Sequence, residues 1–110
     1  MLISTTQVLE GYRITAYHGV VSGEVVLGAN VFRDLMASVR NIMGGRTDSY
    51  EKVFSDGRQA ALDALASHAQ ALGANAVVGV SLDYEAVGTN DAMLMVAATG
   101  TAVTIAGSGA

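Results

Sequence analysis

Alternation of hydrophobic and polar positions predicts β-strands in three stretches of this chain. The first stretch, residues 12–27, carries apolar side chains on both of its faces. A strand that is apolar on both faces needs cover on both sides. Gly19 and Gly23 interrupt this stretch, and each glycine suggests a bulge or a bend.

The other two stretches predict an antiparallel hairpin. In residues 75–87 apolar positions alternate with polar ones, so one face is predicted to be core and the other polar. Residues 87–91 form a short loop, and residues 92–105 return as a strand that is apolar on both faces. Gly100 lies within this last strand and predicts a bulge there.

Two further stretches have the apolar spacing of helices. The first predicted helix covers about residues 31–43, between a capping Asn30 and Gly44. The second covers about residues 49–72 and ends at Gly73. Its apolar stripe is Tyr50, Val53, Phe54, Gly57, Ala61, Ala64, Leu65, His68 and Leu72. The small residues in the middle of this stripe predict that the second helix lies unusually close to the sheet.

The order of these elements predicts a single α+β domain at residues 1–105, followed by a flexible tail at residues 106–110. Residues 12–27 join the hairpin in a three-stranded antiparallel sheet, which gains a short extra strand from the N-terminus. The two helices cover one face of this sheet. Because two of the strands are apolar on both faces, the second face is predicted to be buried by other subunits of an oligomer.

The composition supports an assembly and narrows the possible chemistry. Glycine and alanine fill 31 of the 110 positions and only six residues are aromatic, so the core needs close backbone packing or a contribution from other subunits. The absence of cysteine excludes disulfides, thiol nucleophiles and thiolate metal sites. A net charge of −4 without a basic cluster argues against nucleic-acid binding. No apolar run spans a membrane and no signal peptide is recognisable, so we expect a cytoplasmic protein without a membrane partner.

Ten short sequence blocks, in order over residues 4–105, carry a resemblance to a known family. The blocks are Thr5-Thr6, Tyr17-His-Gly-Val-Val-Ser-Gly-Glu24, Leu27-Gly-Ala-Asn30, Arg33-Asp34, Arg40, Gly44-Gly-Arg46, Tyr50-Glu51, Leu72-Gly-Ala-Asn-Ala-Val-Val-Gly79, Asp83-Tyr84-Glu85 and Gly100-Thr-Ala-Val103. As a set they resemble the YbjQ family, which also carries the label of a heavy-metal-binding domain. The resemblance implies a dodecin-subunit-like α+β fold and a homopentamer in which sheets from neighbouring chains form a central barrel.

The biochemical function of the YbjQ family is not established, so the resemblance implies no reaction. In some relatives a cysteine follows the tyrosine of the second block, whereas this chain has His18 at that position. A metal site built on a thiolate therefore does not apply to this chain.

Carboxylates and histidines are the candidate ligands for a divalent metal ion as cofactor. The candidate set is Asp83, Glu85, His18 and His68, with Glu24 and Asp34 as further oxygen donors. Asp83 and Glu85 point the same way from one predicted strand and could meet in an oligomer. Carboxylates favour Mg²⁺, Ca²⁺ or Mn²⁺, and histidine participation would allow Zn²⁺ or Ni²⁺. The alternative is a solvated strand face with carboxylates paired to arginines, and histidines with structural partners.

An anion site is a second candidate. Gly44, Gly45 and Arg46 precede a predicted helix N-terminus, where backbone N–H groups could hold a phosphate or carboxylate, and Arg40 could add a second cation. The segment is not a P-loop, because the Gly-Lys-Ser/Thr ending is absent. The alternative is a tight turn between helices whose arginines form ion pairs at a subunit interface.

Catalysis is the function that the sequence supports least. The chain contains no Gly-x-Ser-x-Gly segment and only two histidines, so hydrolase chemistry is not favoured. We expect a homo-oligomeric, pentameric binding or structural module that holds a metal ion or small anion at subunit interfaces. The alternatives are a divalent-metal-binding protein that uses carboxylates and histidines, and an enzyme that acts on a small anionic substrate.

Overall fold

The computed structural model describes residues 1–28, 48–89 and 93–107. Their elements are β1 (Leu2–Ile3), β2 (Tyr12–Leu27), α1 (Asp48–Ala71), β3 (Ala76–Val87) and β4 (Met93–Gly107). The strands and the long helix therefore lie within two residues of their predicted bounds. The helix predicted over residues 31–43 lies outside the described residues.

The four strands form one mixed sheet in the order β1-β3-β4-β2. β1 pairs with β3 in parallel, through Leu2 beside Ala76 and Ile3 beside Val77. β4 is antiparallel to both β3 and β2, and its pairing with β2 runs the full length of that strand. The predicted α+β class is therefore confirmed, as a four-stranded mixed sheet with one helix packed on it.

α1 covers one face of the sheet with a stripe of small side chains. Gly57, Ala61, Leu65 and Ala69 recur at four-residue spacing and are buried, and they pack mainly over β2 and β4. The prediction for the end of this stripe was wrong. His68 and Leu72 are exposed, because the position that points inward in the last turn is Ala69.

The helix ends as predicted at Gly73, whose φ is +88°, a conformation that glycine adopts without strain. The N–H of Gly73 donates to the carbonyl of Gln70 (2.9 Å) and that of Ala74 to the carbonyl of Ala69 (3.1 Å). These two bonds form a Schellman motif. The motif reverses the chain so that β3 can begin at Ala76.

A bulge in β3 changes which residues face the helix. Val78 pairs with Thr101 and Ser81 pairs with Thr99, so Gly79 and Val80 together stand opposite a single residue of β4. Val77 and Val80 consequently both belong to the core beneath α1. The predicted unbroken alternation along β3 was wrong for this reason, because one extra residue transfers the side chains beyond it to the other face.

The single residue opposite this bulge is Gly100. A Cβ there would lie 2.7 Å from Cγ1 of Val77 and 3.0 Å from Cγ2 of Val80. The bulge that was predicted at Gly100 is therefore on the neighbouring strand, and the glycine makes room for it. In β2, register shifts lie at Thr15 and at His18 next to Gly19, so the bulge suggested by Gly19 is present.

Among the described residues, the face of the sheet opposite α1 has a small core near its β1 end. That core contains Ala76, Val78 and Val103, with Leu2, Leu9, Ile14 and Ile105 packed against it. Part of the cover comes from the segment between β1 and β2. We call residues 4–10 the N-terminal arm.

Candidate functional site

The open face is the face of the sheet that α1 does not cover. Its central row on β4 consists of alternate residues: Met93, Met95, Ala97, Thr99 and Thr101. The residues between them, such as Val96 and Ala98, are buried beneath α1, and successive strand residues point to opposite faces. The strand pairings therefore decide which β2 and β3 residues share the open face.

A stripe of exposed apolar side chains runs along β2 on the open face. Tyr17 pairs with Val103, Val20 with Thr101, and Val26 with Met95, so all three share the face of those β4 residues. The stripe comprises Tyr12, Tyr17, Val20 and Val26, which are all exposed. Tyr17 and Val20 are 72% and 81% exposed, which is unusual for large apolar side chains in a sheet.

Two of the predicted metal ligands are brought into one row of the open face. Ala97 pairs with Glu24 on one side and with Asp83 on the other. Glu85 pairs with Met95 in the next row, so it shares this face. The three carboxylates are exposed. Two strand spacings, roughly 10 Å of backbone, separate Glu24 from Asp83, and the residue between them is Ala97.

The two histidines are held elsewhere by partners of their own. The Nε2 atom of His18 lies 2.7 Å from the Thr104 hydroxyl, and this side chain is partly buried at the β2 bulge. His68 lies on α1, and its Nδ1 donates to the backbone carbonyl of Ser22 at 2.5 Å. Neither histidine shares a row with Glu24 and Asp83.

The described residues by themselves do not form a complete metal site. In the described ranges, no group of three or more histidine, aspartate or glutamate side chains could hold a metal ion. The carboxylates suit hard divalent cations, and the chain has no thiolate to offer a soft one. Glu24 and Asp83 are a pair of carboxylates that would need further donors to hold a metal ion.

The predicted anion site lies outside the described residues, with Gly44, Gly45, Arg46 and Arg40. Asp34 lies outside them as well. A described arginine, Arg58, sits on α1 with its Nη1 3.4 Å from the hydroxyl of Tyr84.

A cleft of about 480 Å³ separates the N-terminal arm from the open face. It is lined by Gln7, Val8, Tyr17, Val78, Gly79 and Thr101. Sequence reasoning missed this cleft because its lining comes from four separate segments that only the strand register brings together. The available signal was Gly79, a glycine inside a predicted strand, which often marks a bulge beside a functional surface.

The comparisons with known proteins agree with the fold and with the sequence blocks. The sequence pattern of a family described as "Putative heavy-metal-binding", the YbjQ family, matches residues 1–106. The chain belongs to this family. This match confirms the family resemblance of the sequence blocks. The description of the YbjQ family names a class of ligand and no reaction.

A crystal structure of a protein with unknown function from Pediococcus pentosaceus has the same fold. The two chains are 22% identical, the match covers 96% of this chain and 98% of the other, and the TM-score is 0.63. At this identity the likeness concerns the fold alone. No helix in the described residues of the YbjQ chain is long and apolar enough to cross a membrane.

Proposed function

We propose that this YbjQ-family protein is a homo-oligomeric binding module without catalysis, and that it is a pentamer whose open faces are covered by neighbouring copies. The observation that carries the proposal is the exposed apolar stripe on β2. Tyr17 and Val20 expose most of their surface on a face that α1 does not protect. Burial of this stripe against another subunit would stabilise the assembly by removing apolar area from water.

The strand edges support a second copy as the partner. β2 is at one end of the strand order, so one of its edges has no strand partner among the described residues. At the other end, β1 pairs only with Ala76 and Val77, and arm hydrogen bonds reach Gly79 and Val80. Beyond them, residues 81–87 have a free outer edge within the described ranges. One chain thus offers two different edges, and unpaired edges are templates for pairing with another chain.

Pairing between two different edges is head to tail. Such a contact repeats from chain to chain and gives a closed ring when the rotation between neighbours divides a full turn. The apolar stripe lies on the same strand as one of these edges, so edge pairing and burial of the stripe would occur at one interface. A ring of five chains of 11.2 kDa has a mass of about 56 kDa.

Light scattering coupled to size exclusion tests the assembly. The wild-type chain at micromolar concentration is expected to elute as a single species of about 56 kDa, five times the 11.2 kDa chain. Val20→Lys places a charge in the stripe and is expected to dissociate the assembly. Ala60→Lys adds the same charge at an exposed position of α1 and should leave the mass unchanged. A folded wild-type monomer would refute the proposal.

Divalent-metal binding is a second candidate function, and the row Glu24–Ala97–Asp83 favours it. A single chain lacks a complete ligand set in its described part, so the site would be completed by side chains of a neighbouring copy. Titration calorimetry with Mg²⁺, Ca²⁺, Mn²⁺, Zn²⁺ and Ni²⁺ tests this function. Heat that the Glu24→Gln, Asp83→Asn double variant abolishes would support it, and unchanged heat and melting temperature across the panel would refute it.

A further inference from the structure

We draw no further inference here: the strongest candidate, the cluster of exposed carboxylates that Glu24, Asp83 and Glu85 form on the open face, belongs to the candidate metal site already described, and among the described residues no second feature at this cluster points to a ligand.

Discussion

Gly23 of β2 lies directly against the backbone of α1 at Leu65. A Cβ on Gly23 would overlap the backbone nitrogen of Leu65 and the carbonyl oxygen of Ala61. Helix and strand therefore meet here without a side chain between them. Gly57, the glycine of the helix itself, is not in such close contact with the sheet. A Cβ added there would lie 3.4 Å from Cγ2 of Val96, which is an ordinary van der Waals distance. The close approach depends on the glycine of the strand.

Gly23→Ala is expected to destabilise the fold by about 3 kcal/mol, because backbone atoms of a helix cannot move aside as a flexible side chain can. Urea denaturation followed by circular dichroism measures the loss. Gly28→Ala is the control, since a Cβ at Gly28 would meet nothing within 4 Å. A loss below about 1 kcal/mol for Gly23→Ala, similar to an ordinary surface change, would contradict the close contact.

Leu65→Ala is expected to cost about 2–5 kcal/mol, because the leucine is fully buried and its loss leaves a cavity beneath α1. Leu72→Ala makes the same chemical change at a side chain that is 49% exposed and should cost less than about 1 kcal/mol. The difference between their urea midpoints tests the corrected helix stripe. Equal losses would indicate that Leu72 packs inward, as the sequence pattern suggested.

Gly100→Ala is expected to destabilise the chain by about 1–3 kcal/mol through overpacking against the β3 bulge. Its nearest neighbour would be the Cγ1 atom of Val77, at 2.7 Å. Val77→Ala removes that atom, so the double variant should be more stable than the sum of the single losses predicts. A double-mutant cycle by urea denaturation measures this coupling. Strict additivity would show that the two residues do not touch.

Asn75→Ala is expected to cost about 1–2 kcal/mol, because one side chain serves two backbone groups of β4. The Asn75 amide donates to the carbonyl of Ile105 at 3.0 Å, and the Ile105 N–H donates to the Asn75 Oδ1 at 2.7 Å. Asn75→Asp keeps the acceptor but places a carboxylate against the Ile105 carbonyl. It should therefore be no more stable than Asn75→Ala when measured at pH 7. Wild-type stability in either variant would exclude this role.

Local patterns in the sequence determined where the elements begin and end. The two-residue period defined β2, β3 and β4, and the Gly73 stop defined the end of α1, because these signals depend on neighbouring residues alone. The absence of cysteine by itself excludes a thiolate metal site, since no arrangement of the chain can supply the missing sulfur ligand. The α+β class and the YbjQ-family membership followed from the same local information.

The tertiary structure decided which residues face one another. The bulge at Gly79 exchanged the faces of β3, and only the pairing with Gly100 reveals it. The same register placed Glu24 and Asp83 on either side of Ala97 and assembled the cleft from separate segments. A shift of one residue in a strand reverses which face each side chain occupies, and the energies that fix the register come from contacts between distant parts of the chain.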